Sequence, residues 1–168
     1  KNVPLVIRMI IGRGWGQGAQ HCQSLESWFA HIPGLKVVMP SSPYDAKGLL
    51  ISAVEDNNPI IFLEHRWLHN TYGNVPKDTY RVPIGKCNII KEGEDISIIA
   101  HSYTTILAIK AARILSEYGI SAEVIDIRTI RPLDKVTIIN SVIKTKRVVV
   151  VDNGWTSFGV SAEIIATL

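Results

Sequence analysis

Four glycines stand at alternate positions in Gly12-Arg13-Gly14-Trp15-Gly16-Gln17-Gly18, and the same stretch runs on through Ala19 and Gln20 to His21, Cys22 and Gln23. Glycine is favoured where the backbone takes positive φ or must leave room for another group. A histidine delivered behind such a bare rim can exchange protons near neutral pH with whatever lies over it. The spacing predicts that His21 opens a helix. Gly14 to Ala19 also fits a loose GxGxxA, the fingerprint of dinucleotide-binding folds, but the next strand ends in Ser41-Ser42 rather than in an acid that would hold a ribose.

Other chemistry-bearing residues are less well placed. His65 and His69 follow Glu64 in an HxxxH spacing that holds zinc when it lies on one helix face. Here the pair follows a strand-like run and leads into a Pro- and Gly-containing stretch, so a shared face is not expected. His31 and His101 have no partner in the sequence and are read as packing or surface residues. Glu55 to Pro59 reads as a helix end turning into a strand, and the exposed carbonyls of a helix end suit a hard monovalent cation. Trp15, Trp28, Trp67 and Trp155 are read as core or interface residues, because no basic cluster interleaves them as in a base-stacking surface.

The elements that must position these residues alternate between apolar runs and amphipathic stretches, the pattern of a parallel sheet flanked by helices. Leu5 to Ile11, Lys36 to Met39 and Ile60 to Glu64 are predicted strands. Leu25, Trp28, Phe29 and Ile32 keep helical spacing up to Pro33-Gly34. Ser42-Pro43-Tyr44-Asp45 supplies a cap, a first-turn proline and an acid for a helix towards Val54. From residue 71 to 85 the pattern weakens into a linker. A second unit follows, with strands over Ile96–Ala100, Val124–Ile127 and Val148–Val151. Its helices are marked by Leu107, Ala111, Ile114, Leu115 and Tyr118 before Gly119, and by Asp134 ahead of Val136, Ile139 and Ile143. The last of these strands is expected to be buried on both faces.

The 168 residues are 46% hydrophobic with a net charge of +3, which excludes disorder and, without any run of Lys or Arg, argues against nucleic-acid binding. No segment has the apolar length of a membrane span. Cys22 and Cys87 lie far apart with no CxxC, as in a reducing compartment. The chain opens on Lys1-Asn2-Val3-Pro4 directly before a strand and stops at Leu168 inside a helical pattern, so it is expected to be a piece of something larger.

Read as strings, VPLVIR, GAQHCQSLE, HIPGLKVVMPSSPYDAKGLL, EDNNPIIFLEH, YRVPIGK, EVIDIRTIRPLD, SVIKTKRVVVVDNG and GVSAEI together resemble the beta subunit of the thiamine-diphosphate-dependent 2-oxo acid dehydrogenases of the pyruvate, branched-chain and acetoin type. The resemblance runs from Val3 to Ile164 in unbroken order. It implies an α/β fold of two doubly wound units. Residues 1–70 would be the later part of a transketolase-type pyrimidine-binding domain, 71–85 a linker, and 86–168 a transketolase C-terminal-type domain truncated at its end. It further implies oxidative decarboxylation of a 2-oxo acid, pyruvate first, with acyl transfer to lipoyl.

By the same resemblance the histidine of the family's HSQ motif falls on His21, which would handle protons as the acyl group moves onto lipoyl sulfur; the motif's serine is Cys22 here. A structural potassium ion would be held mainly by main-chain oxygens of Leu5, Ala53, Val54, Asp56 and Asn58. The acid that bonds the cofactor's aminopyrimidine is expected upstream of Lys1, so no cofactor-binding residue is assigned and this stretch alone is expected to be inactive. Thiamine diphosphate and magnesium would be shared with an alpha subunit. A second beta subunit completes a heterotetramer, and a dihydrolipoyl acyltransferase receives the acyl group. Bacterial cytoplasm is the expected location, ahead of mitochondrial matrix or plastid. The alternatives are a transketolase or deoxyxylulose-phosphate-synthase-like transferase, a nicotinamide-binding domain, and a catalytically silent assembly module.

Overall fold

The structure is a computed structural model and describes residues 2–168. Its first sheet is centred on β3 (Ile60–His65), flanked in parallel by β1 (Val6–Ile11) and β2 (Lys36–Val38). A strand with neighbours on both sides and helices over it must be apolar on both faces, and Ile60, Ile61, Phe62 and Leu63 are all buried. Between β2 and β3 runs α3 (Pro43–Val54), whose start is fixed as expected: the Ser42 hydroxyl accepts the Asp45 N–H at 3.1 Å, and Pro43 fills the first helical position. Leu49 and Ala53 then pack on Val38, Ile60 and Phe62.

The segment expected to be a linker contains no helix or strand, yet it is strapped along α3. Val82 is buried, its N–H donates to the Gly48 carbonyl at 3.2 Å, and the Ser52 hydroxyl donates to the Val82 carbonyl at 2.6 Å. Gly48 is required by this approach, since a Cβ there would stand 2.5 Å from Val82 Cγ2. The Tyr44 and Tyr80 rings stack at 4.5 Å over the same contact.

The second sheet has the order β4 (Asn88–Lys91), β6 (Ala122–Asp126), β5 (Ile96–Ala100), β8 (Val148–Val150). It is covered by α4 (Tyr103–Glu117), α5 (Lys135–Thr145) and α6 (Val160–Thr167). Neither sheet is purely parallel: β4 runs antiparallel to β6, and β7 (Thr129–Arg131) leaves the second unit to pair antiparallel with β2 at the edge of the first sheet. Val148–Val150 is likewise an edge strand rather than one buried on both faces, and Val149 is 46% exposed.

That exchanged strand makes one core out of two. Ile11, Val37, Met39, Ile61 and Leu63 from the first half pack in a single cluster with Ile99, Ile125, Ile127, Ile138 and Ile164 from the second. Beside it lies a buried polar joint. Arg128, held at φ 52°, donates to Asp45 Oδ1 at 3.0 Å and to the Cys87 carbonyl at 3.1 Å, while the Met39 N–H donates to the Arg128 carbonyl at 2.8 Å. Asp126 completes the joint, accepting from the Ser41 hydroxyl and from the Arg128 N–H.

Burial raises the Asp126 carboxyl to about 6, against the opposing hydrogen bonds from Ser41 and the Arg128 N–H. Because the folded state holds this proton more tightly than the unfolded chain does, the group favours folding most below about pH 4, and that contribution is lost as the pH rises through 6. Asp126→Asn, which keeps the shape and removes the charge, is expected to gain about 2 kcal/mol over the native chain at pH 8 and nothing at pH 4. Urea midpoints measured at the two pH values check this.

Candidate functional site

The glycine loop leaves the carboxyl end of β1, where ligand crevices of open parallel sheets lie. Gly14, Gly16 and Gly18 take φ of 82°, 83° and 73°, and nothing lies within 4 Å of where their Cβ atoms would be. Conformation rather than crowding therefore selects these three glycines. The loop leads into α1 (Gly18–His21), a single turn, and after a break into α2 (Glu26–Ala30). His21 thus ends a one-turn helix instead of opening a longer one. The break follows from bonds back to the loop: the Gly12 N–H donates to the Gln23 carbonyl at 3.4 Å and the Gln17 N–H to Cys22 Sγ at 3.0 Å. The thiol of Cys22 acts as an acceptor for the loop, a place a hydroxyl would also serve.

His21 is exposed. The loop that carries it is held from outside. Arg13 Nη1 donates to the carbonyls of Asn153 and Gly154 at 2.9 and 2.5 Å, reaching the turn between β8 and α6. Trp15 sits edge-on to Trp67 with centroids 4.6 Å apart, and Tyr103 at the start of α4 stacks on His65 at 5.0 Å. The loop of the first half is therefore positioned by the second.

The HxxxH pair is taken apart by the fold. His65 closes β3, accepts the Trp67 N–H at 3.2 Å through Nδ1 and faces Asn153 Nδ2 at 3.2 Å through Nε2, whereas His69 lies exposed beyond the following 3-10 turn. Burial, then the nearby His101 and His69, lowers His65 to about 4, so it stays neutral at physiological pH. Both histidines border a pocket of about 180 Å³ with Ser41, Ser42 and Glu64, and Glu64 is committed to Arg8 at 2.8 Å. Cys87 is pushed up to about 12 by burial and by Asp134, which removes it as a nucleophile.

Of the positions expected to hold potassium, Leu5 lies directly before β1, and Ala53, Val54, Asp56 and Asn58 lie at the end of α3 and in the turn after it. The Ile60 N–H donates to the Leu5 carbonyl at 2.8 Å and the Val3 N–H to Asn57 O at 3.0 Å, tying the start of β1 to the end of α3. The Ala53 carbonyl accepts the Asp56 N–H at 3.3 Å, and the Asp56 carboxylate accepts from Asn58 and from the Lys36 ammonium. Burial raises the Asp56 carboxyl, but the bonds from Lys36 and Asn58 outweigh it and leave it lowered. The Ala53 carbonyl also accepts the Glu55 N–H, so both of its lone pairs are used within the chain, whereas the Leu5 carbonyl accepts only the Ile60 N–H among the described residues.

Sequence reading missed a second cluster. His101, read as an ordinary packing or surface residue, is fully buried and faces Asp152 Oδ1 through Nε2 at 3.2 Å, with Glu26 of α2 close by. Burial pulls the His101 imidazole down, but the Asp152 bond and the Glu26 charge outweigh it and leave it raised. Asp152 is driven well below the usual carboxylate range, against burial, by His101 and by the N–H groups of Ser161 and Gly154. One signal was available: His101 directly follows β5 and Asp152 lies two residues past the end of β8, both at strand carboxyl ends.

The tryptophans are not core residues. Trp28, Trp155 and Phe158 are 69%, 75% and 92% exposed and line a groove of about 1110 Å³ between α2 and the start of α6. No helix among the described residues is long and apolar enough to cross a membrane. The loose GxGxxA opens a helix of only four residues, too short to present the aligned N-terminus that a dinucleotide's pyrophosphate needs.

Comparison with known proteins agrees with this fold. The family description "Transketolase, pyrimidine binding domain" matches residues 1–71 and "Transketolase, C-terminal domain" residues 85–168. The chain is 47% identical over 165 residues to the acetoin:2,6-dichlorophenolindophenol oxidoreductase subunit beta of Cupriavidus necator, covering 98% of this chain and 49% of that protein. To the pyruvate dehydrogenase E1 component subunit beta of Staphylococcus aureus it is 46% identical, and to the mitochondrial one of Bos taurus 44%, covering all of this chain and 52% and 48% of theirs. It spans about half the length of the curated relatives it matches. A solved structure titled "Split gene transketolase, inactive beta4 tetramer" superposes with a TM-score of 0.85 at 23% identity, over 99% of this chain and 54% of that one, and shares the fold. The chain therefore belongs to the transketolase family, joining residues of its pyrimidine-binding domain to its C-terminal domain.

Proposed function

We propose that this chain is part of the beta subunit of the decarboxylating component of a 2-oxo acid dehydrogenase complex, acting on a 2-oxo acid with pyruvate favoured, and passing the acyl group to lipoyl. The observation that carries this reading is His21, exposed on a glycine rim at a strand's carboxyl end and steadied by Arg13. Names of the relatives support the class of reaction. Thiamine diphosphate, bound with magnesium at a cleft shared with an alpha subunit, supplies the electron sink for decarboxylation. The open loop leaves space for such a cleft, and no residue of this chain is assigned to the cofactor itself.

His21 serves the second half of the cycle. When the acyl group bonds to one lipoyl sulfur, the S–S bond breaks and the other sulfur leaves as a thiolate, to which the imidazolium of His21 delivers a proton. Arg13 keeps the histidine at the right height over the cleft. The exposed Trp28, Trp155 and Phe158 are the surface on which other subunits of the heterotetramer, or the dihydrolipoyl acyltransferase, would pack.

A potassium ion held by the carbonyls of Leu5, Ala53 and Val54, with Asp56 and Asn58, would pin β1 and so fix the base of the loop. Its contribution is that of a ligand bound to the folded state alone.

Three measurements test these assignments. In the assembled complex His21→Ala is expected to lower acyl-lipoyl formation about 10²- to 10⁴-fold, whereas unchanged turnover would favour the silent assembly module. Arg13→Ala is expected to cost ~1 kcal/mol of stability, yet to reduce acyl-lipoyl formation severalfold, seen by pairing thermal melts with initial rates. Exchanging potassium for a bulky quaternary ammonium at constant ionic strength is expected to remove about 1–3 kcal/mol of stability, a loss absent if no ion binds.

A further inference from the structure

Glu26, His101 and Asp152 reach one point from three elements, α2 of the first half and the carboxyl ends of β5 and β8 of the second, and a ligand atom from each lies within 4.8 Å of the other two. The hydrogen bonds within the chain leave two atoms of this grouping without partners. His101 and Asp152 face one another, and Asp152 also accepts N–H groups of Gly154 at 2.7 Å and Ser161 at 2.9 Å. Glu26 uses one oxygen to accept the Ser24 hydroxyl at 2.7 Å. Its other oxygen, Oε1, has no partner although the residue is 0% exposed, and His101 Nδ1 is equally buried and unpartnered.

Gly154 supplies a separate sign that the space is kept open. Its φ is not in the left-handed region, so its backbone does not call for glycine. A Cβ there would stand 2.7 Å from Glu26 Oε1 and 3.0 Å from Asp152 Oδ1. Any side chain would thus fill the gap between the two carboxylates. A buried carboxylate oxygen needs a donor or a cation, and among the described residues no donor makes a hydrogen bond to Oε1.

We propose that Glu26, His101 and Asp152 bind a divalent cation of the borderline class, for which Zn²⁺ is the probe. One imidazole and two carboxylates form a donor set that zinc accepts, leaving a fourth position for water. Small rotations of the three side chains bring their atoms to the bond lengths of about 2.0–2.2 Å that zinc requires. The ion clamps α2, which follows the His21 loop, to the second sheet. The site stands independently of the reaction assigned above, and its test reads metal binding rather than turnover.

The test is a calorimetric titration of the chelator-stripped full chain with Zn²⁺. The expected result is close to one ion per chain, a rise in the thermal midpoint on binding, and a loss of affinity of about tenfold or more in Glu26→Gln. The exposed histidines serve as the control, since His31→Ala with His69→Ala should leave the affinity unchanged. Anomalous scattering at the zinc edge from crystals of the unaltered chain decides the matter should Glu26→Gln not fold, by placing a peak between the three side chains. No uptake, uptake abolished by the His31 and His69 changes, or a peak elsewhere overturns the proposal.

Discussion

The strand β7 is the constraint on which the rest depends. It arises in the second half of the chain, directly after β6 of the second sheet, and pairs with β2 of the first. With only the turn at Ile127 and Arg128 between them, β6 and β7 hold the two sheets at a fixed separation. The carboxyl ends of β1 and β3 are thereby brought against those of β5 and β8. Contacts between these ends are polar and directional: Arg13 on the Asn153 and Gly154 carbonyls, Asn153 on His65, and Tyr103 stacked on His65. Without the exchanged strand the glycine loop would lose the Asn153 and Gly154 carbonyls that hold Arg13 and would keep only its contacts within the first half, Trp15 on Trp67 among them.

A loop of this kind reconciles two demands. The role proposed for His21 requires the loop to be exposed, so that a large substrate can reach it, and to be placed reproducibly, so that the imidazole stands at a fixed height. Burial would satisfy the second demand and defeat the first. The solution seen here puts the fixing contacts at Arg13 and Trp15, several residues away from His21, and leaves the histidine itself free. Cys22 fits the same scheme, since its sulfur takes the Gln17 N–H and closes the small turn that carries the histidine.

How much of this was legible in the sequence follows from whether a feature is local. The capped helix α3, the strand Ile96–Ala100 and the helix opened by Asp134 are written in residues within a few positions of one another, and they fold as read. The resemblance likewise identified the family. By contrast β4 and β7 are three or four residues long and lack alternating or continuous apolar patterns, so only their partners β6 and β2 make them strands. The Asp126 and Arg128 joint and the His101 and Asp152 pair were illegible for the same reason. Their partners lie many residues away, and a lone histidine after a strand carries no mark of the carboxylate it will meet.

The joint between the halves uses charged groups where hydrophobic ones would pack at less cost in desolvation. The apolar cluster that spans both sheets already supplies adhesion, with Leu63, Ile99 and Ile125 fully buried in it. Adhesion of that sort is tolerant of small shifts, since apolar surfaces slide and repack with little directional penalty. The guanidinium of Arg128 is not tolerant: it spans Asp45 and two carbonyls, and a displacement of about 1 Å would leave buried donors unpaired. Placing such groups at the joint fixes the relative position of the strand ends more sharply than the core can. That sharpness suits the proposed function, in which His21 meets groups that this chain does not itself contain.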